Sequence, residues 1–429
     1  MTAGTLVARE PMASVDTAWL HMDQPKNAVD IVAMLSFAQP MRLAKLRALL
    51  KRRLLRHLRF RQRIVGAGLL GGADWEVDTR FDISRHVVPH RLAAEDRPGL
   101  EAFVGKVATA PLDFRHSPWR AWLVDGYDGG CAVVLKLHHC MGDGFAMRDV
   151  LLSLTDEQAV EAPPAQRAPS YRSLTFDPAH LASHVAQFAW SFGRNVSLPS
   201  DPDTVLRRPL SGRRRVAWSA GISLSRIRDA AHRLGATVND FLMAALTGAL
   251  RGHLADAGES VDGLDVRAVV PVNVRPPGSS TADLGNRFGV VFLELPVHIR
   301  TAADRLAGIR ERMAELKGSP DAVMSHAVIG AMGKVPGALE HPLMDFFMKK
   351  ASLVVTNVPG PRQPLHMGGD RIDGVVFWVP HPANLGLGVA IYSYADVIQV
   401  GVRSDASAMA NPSGLVRRFE EELGALEAA

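Results

Sequence analysis

The chain holds 429 residues, 47% of them hydrophobic and 22% charged, the balance of a globular protein with apolar surface enough for a core. That composition excludes a largely disordered chain, and at roughly 150 residues per domain the length suggests two or three domains. The formal net charge of +5 is modest, and Cys131 and Cys140 are too few for a disulfide framework, which points to a reducing, cytosolic setting.

The first residues, MTAGTLVAREPMASVD, show no basic cap followed by an apolar stretch, so no signal peptide is read. A strand is expected over 31–37. Residues 41–63, MRLAKLRALLKRRLLRHLRFRQR, carry ten Lys and Arg and no acid, so the rest of the chain nets −5. Leu43, Leu46, Leu50 and Leu54 recur there at helical spacing, which predicts an amphipathic helix over 41–58 with a basic outer face. That face is either a solvated surface or an attractor of anionic headgroups or polyphosphate. Nucleic acid is not expected, because one phenylalanine in the run falls short of a stacking surface.

A helix at 101–109, a strand at 131–137 and a helix at 144–154 follow. The stretch 156–215 reads as a connection. It opens on the Pro/Ala-rich EAPPAQRAPS, has a helical piece around 181–192, and closes on Arg207, Arg208, Arg213, Arg214 and Arg215. A strand pattern restarts at Val216. The chain therefore divides into an N-terminal domain (1–160), a linker with a crossover helix (161–215) and a C-terminal domain (216–429). The last of these carries helical patterns at 224–234, 238–254, 302–316 and 414–426, and strands at 266–272, 290–295, 353–355, 375–379 and 387–392. Helices and strands mixed throughout argue for an α/β class with mixed sheets. The longest uncharged stretch, 374–395, is broken by Pro380, Pro382, Asn384, Gly386 and Gly388, so no spanning helix is expected.

The chemistry-bearing segment follows the 131–137 strand: His138-His139-Cys140-Met141-Gly142-Asp143-Gly144. Successive strand side chains diverge, so one histidine at most faces a given cleft. A metal would need both, with a carboxylate and a third ligand, and no metal site is expected. Either a histidine here serves as a general base, or His138, His139 and Asp143 merely satisfy one another at a strand end. A covalent Cys140–His139 pair is disfavoured by the same divergence.

HHxxxDG is also the motif of the CoA-dependent acyltransferases with the chloramphenicol acetyltransferase fold, and of peptide-synthetase condensation domains. Further segments narrow the likeness. SVDTAWLHMDQPKNAVDIVAMLSF, PLDFRHSPWRAWLVDG, TVNDFLMAALTGALR, VVPVNVRP, GNRFG and TNVPGP fall in the order seen in the bacterial wax ester synthase/diacylglycerol acyltransferase family, which the chain resembles over roughly 14–400. Ser117-Pro118-Trp119 departs from that family's Pro-Leu-Trp. The DFGWG motif of the plant-type branch is absent.

The resemblance implies two chloramphenicol acetyltransferase-like domains, each a mixed sheet flanked by helices, with an active-site tunnel between them. It implies His139 as general base, with His138, Asp143 and Asn239 in the catalytic group. Gly142 and Gly144 would let substrate approach closely, and Arg275 would support the loop by pairing with Asp143. Asn239 with Asp240 is also readable as a plain cap of the following helix. Asn286 and Asn357 read as turn residues, and Trp119 as core. Met324, Met332, Met344 and Met348 are either adaptable tunnel walls or ordinary core.

The implied activity is acyl-CoA-dependent O-acylation of a long-chain fatty alcohol or a diacylglycerol. Acyl-CoA would be a co-substrate, with no further cofactor, and the setting the cytoplasmic face of a membrane or a lipid-droplet surface. The alternatives are a carrier-protein-dependent acyltransferase of the same fold and a lipid-binding protein without turnover.

Overall fold

A computed structural model describes residues 9–66, 72–157, 190, 192–275, 284–317 and 319–429. The helical piece expected at 181–192 lies mostly outside them, although 192–197 are helical.

Two mixed sheets carry the architecture. The first orders Gly374–Trp378, Asp30–Phe37, Gly130–His138, Trp119–Tyr127 and Val87–Arg91 side by side. Its pairs are antiparallel except the last. The second runs Phe288–Leu295, Val266–Asn273, Leu353–Pro359, Leu387–Tyr394, Val397–Asp405 and Arg214–Trp218, with Ile222–Ser223 beside Val397–Asp405. Leu353–Pro359 is parallel to both of its neighbours. Gly374–Trp378 comes from the C-terminal half of the chain yet completes the first sheet, with Trp378 opposite Val32. The sheets are therefore not each built from one half of the sequence.

Local chemistry explains where elements start. Thr237 caps Val238–Asp256, its hydroxyl accepting from Asp240 N while the Asp240 carboxylate accepts from Thr237 N. Asp143 caps Gly144–Leu154, accepting from Phe145 N and Ala146 N at 3.1 and 2.9 Å. The strand Val397–Asp405 was not expected from the sequence. It joins Leu387–Tyr394 through Ala395 and Asp396, at φ 49° and 63°, a tight turn made without glycine.

The basic run forms Leu43–Arg53 and two short 3₁₀ turns, with Leu46, Leu49, Leu50 and Leu54 buried. Six of its ten cations are exposed, and the other four are half-buried with partners of their own. Arg47 donates to Val87 O, Arg53 pairs with Asp156, and Arg59 lies 4.2 Å over the Trp75 ring. The second arginine cluster also differs from a purely surface one: Arg214 is buried against Asp405 at 2.8 Å.

Four helices among the described residues were missed, one of them the single turn Ile83–His86. Ser14–His21 is short, and Asp321–Met332 and Gly337–Met348 contain or adjoin Gly330, Gly333, Pro336 and Pro342, which read as breakers. Backbones meet closely there. A Cβ on Gly289 would lie 1.6 Å from Ala322 O, and one on Gly333 would lie 1.7 Å from Ser14 O. Among the described residues no helix is long and apolar enough to cross a membrane.

Candidate active site

The strand Gly130–His138 delivers the two histidines to the junction of the sheets, and they part there. His138 is fully buried. Its Nδ1 accepts from Cys140 N at 3.3 Å, and its Nε2 faces Asp23 Oδ1 at 3.7 Å. His139 instead lines a cavity between the sheets. Trp19 stacks on its ring at 4.0 Å between centroids, and Phe288 meets the ring edge-on at 5.8 Å. Its Nδ1 is enclosed with no partner, which leaves Nε2 as the nitrogen available to the cavity. Burial pushes the His139 pKa down to about 4 against the opposing pull of the Asp143 carboxylate, and His138 adds to the depression.

A polar frame holds the loop that carries this ring. Arg275 Nη1 lies 2.7 Å from Asp143 Oδ2, and Arg275 Nη2 donates to Gly285 O at 2.8 Å. Arg287 N donates to the same Oδ2 at 2.9 Å, while Oδ1 takes the cap hydrogen bonds from Phe145 N and Ala146 N. Asp143 therefore ties the helix start at Gly144 to the loop before Phe288. Asn286 is the second tie. Its Nδ2 donates both to His139 O and to Asp16 Oδ1 at 2.8 Å, and its backbone N donates to Asp16 at 2.9 Å. Burial pushes the Asp16 carboxyl up to about 6, with the Asn286 hydrogen bonds acting against it.

Other sequence candidates sit apart. Gly144 lines the cavity. Gly142 is not among the lining residues; a Cβ there would meet Met147 Cε at 2.9 Å and Ala146 Cβ at 3.1 Å, so its smallness serves packing of the turn. Asn239 does not line the cavity either. Its Oδ1 accepts from Asn357 Nδ2 at 3.1 Å, and Thr356 and Val358, which flank Asn357, are in the wall. Cys140 is buried away from the cavity, and burial pushes its thiol pKa up, so it has no nucleophile's setting. Asp16 and Trp19 were not singled out from the sequence, and Asn286 was read as a turn. Their one signal was membership of the SVDTAWL and GNRFG segments.

The cavity encloses about 1470 Å³ of empty space counting its open mouth. Its lining draws on strands of both sheets and on the helices Asp321–Met332 and Gly337–Met348, an extended apolar wall that suits a long-chain ligand. Met324, Met332, Met344 and Met348 all line it, so the methionines are walls as well as core. Polar atoms in the wall are few. Trp19 Nε1 and Tyr392 Oη, both from lining residues, are buried without partners. Among the described residues no three His, Cys, Asp or Glu side chains gather as a metal site would require.

A two-sheet α/β scaffold with a histidine at the wall of a cavity between the sheets is the chloramphenicol acetyltransferase-like acyltransferase architecture. The chain superimposes on a wax ester synthase/diacylglycerol acyltransferase from Marinobacter aquaeolei with a TM-score of 0.72 at 22% identity, over 98% of this chain and 99% of that one. A trichothecene 15-O-acetyltransferase from Fusarium sporotrichioides aligns with a TM-score of 0.65 at 12% identity, over 99% and 97%. Residues 12–242 match the wax ester synthase/diacylglycerol acyltransferase catalytic domain, and residues 284–427 match the WS/DGAT C-terminal domain. A probable diacylglycerol O-acyltransferase of Mycobacterium tuberculosis is 27% identical over 385 residues, spanning 84% of this chain and 82% of that protein. The O-acyltransferase WSD of Acinetobacter baylyi is 27% identical over 397 residues, 83% and 84% respectively. The protein belongs to the wax ester synthase/diacylglycerol acyltransferase family and is an acyltransferase.

Proposed function

We propose that the enzyme transfers a long acyl chain from acyl-CoA to the hydroxyl of a hydrophobic alcohol, a fatty alcohol or a diacylglycerol, with His139 as general base. The observation that carries this reading is His139, the one histidine among the described residues lining the nearly apolar cavity. His139 Nε2 takes the proton of the alcohol as its oxygen attacks the thioester carbonyl. The tetrahedral intermediate then collapses, the C–S bond breaks, and the thiolate of CoA takes the proton from the imidazolium. An imidazole that burial keeps from charging is neutral throughout the physiological range. The imidazolium, once formed, readily surrenders its proton to the leaving thiolate.

Asp143, Arg275, Asp16 and Asn286 are positioning residues that fix the loop under His139. His138 and Asn239 act one step further back, through the turn and through the strand of Asn357. Apolar walls select the chain at about 0.8 kcal/mol per buried CH₂. The enzyme works at the cytoplasmic face of a membrane or on a lipid droplet, where such substrates reside.

The test is ester formation by purified enzyme from palmitoyl-CoA or from a palmitoyl-loaded carrier protein, each offered hexadecanol or dioleoylglycerol. Ester from the CoA donor with at least one acceptor is expected. Ester from the carrier alone would reassign the donor, and stoichiometric acyl binding without any ester would reduce the protein to a lipid carrier.

A further inference from the structure

The helix Gly337–Met348 has two apolar faces. Met344, Phe347 and Met348 point into the cavity wall. Leu339, Leu343 and Phe346 lie on the other side, 66%, 41% and 42% exposed. Their i, i+4, i+7 spacing makes them one stripe. The neighbouring helical residues 190 and 192–197 add Trp190 (64% exposed), Phe192 and Val196. The two pieces are joined, because Lys350 Nζ donates to Val196 O at 2.9 Å and lies 4.3 Å over the Phe346 ring. Asn195, in the same stretch as Trp190, reaches the cavity wall. Elsewhere large apolar side chains are exposed singly, as Leu58 and Val397 are, which is ordinary; a grouped set is not.

The fully exposed charges on this helix and its flanks are basic. Between residues 331 and 350 the exposed charged side chains are Lys334 and Lys349, while Glu340 is buried and Asp345 half-buried. Arg194, over the Trp190 ring at 5.3 Å, is half-exposed but ion-paired with buried Asp321, so Lys334 and Lys349 carry the basic border. Apolar side chains rimmed by lysine, with aromatic residues at the boundary, are the chemistry of a surface that sits in the headgroup region of an anionic bilayer.

We propose that this face, centred on Leu339, Leu343 and Phe346, docks the enzyme on an anionic lipid surface and so opens the cavity wall directly toward the membrane. The position deepens the acyl-transfer reading and rests on it for its purpose: an apolar acceptor then passes from bilayer to cavity across one helix, never through water.

The experiment is flotation of the full chain with vesicles of phosphatidylcholine, alone and mixed with phosphatidylglycerol. The wild type is compared with the triple variant Leu339→Ser/Leu343→Ser/Phe346→Ser and with Lys334→Glu/Lys349→Glu, each checked for an unchanged melting temperature. The wild type is expected to float with the anionic vesicles. Each variant should lose about tenfold or more of that binding. The triple variant should still transfer acyl groups between detergent-dispersed substrates. Undiminished flotation of the triple variant, or no flotation of the wild type, would overturn the proposal. So would a wild-type dimer that the triple substitution dissociates, since the stripe would then be covered by a second copy. Flotation that follows the stripe while no substrate is acylated would leave the surface standing and count against the proposed reaction instead.

Discussion

His139 is supported through its carbonyl and its loop, and its ring lines the cavity. Asn286 bridges His139 O to Asp16, so a buried carboxyl two bonds removed from the base shares responsibility for its position. Burial lifts the Asp16 carboxyl from 3.8 to about 6. A raised folded pKa means the native state holds a proton that the unfolded chain has released. The stability linked to it is therefore complete below about pH 4 and is lost as pH rises through 6. Asp16→Asn keeps an acceptor for Asn286 and removes the titration. Relative to that variant, the wild type should lose about 2 kcal/mol between pH 4.5 and 7.5, measured by urea unfolding. Equal losses in both proteins would show that Asp16 ionises normally. The His-His-x-x-x-Asp-Gly run made His139 and Asp143 legible from the sequence. Asp16 and Asn286 were not, because a carboxylate on a short helix and an asparagine in a turn acquire meaning only when segments 270 residues apart are brought together.

The elements that were hardest to read are those with two buried sides. Asp321–Met332 packs one face on Ser14–His21 and the other on Phe288–Leu295, so its apolar residues lack a single helical stripe. Val397–Asp405 ends in buried Arg403, Ser404 and Asp405, whose polarity masks a central strand. Their ion pairs and hydrogen bonds make burial possible: Arg403 Nη1 donates to Asp30 O at 2.6 Å, and Asp405 meets Arg214. By contrast, Gly144–Leu154 was read to the residue from its apolar period. Close packing of Asp321–Met332 makes a direct prediction. Gly289→Ala forces a methyl into Ala322 O, and backbone must move to admit it. The variant should lose about 1–3 kcal/mol of stability, with the cavity wall displaced. A variant as stable as the wild type in chemical denaturation would show that the helix does not seat on that strand.

At the scale of the molecule, the two sheets are fastened to each other more firmly than the order of elements along the chain suggests. The strand at 374–378 was recognisable by its β-branched run, but nothing local in it says that it pairs with Asp30–Phe37 more than 300 residues earlier. Lys136 and Asp30, paired at 2.7 Å and both buried, lie where Arg403 crosses from the second sheet. A shared strand and a shared ionic cluster couple the halves, so heating should give one cooperative calorimetric transition. Two separated transitions would mean that the halves fold independently.

The cavity lies in the seam between these sheets, and the central claim is that one imidazole in that seam is the base for acyl transfer. The most direct measurement is the initial rate of radiolabelled ester formation from palmitoyl-CoA and hexadecanol by the wild type and by His139→Ala of equal melting temperature. Asn286→Ala serves as a positioning control. Loss of a general base costs typically 10²–10⁴-fold, so His139→Ala should fall by at least about a hundredfold in kcat, with Asn286→Ala intermediate. A His139→Ala enzyme that keeps wild-type turnover would contradict the account and move the chemistry to another group in the wall.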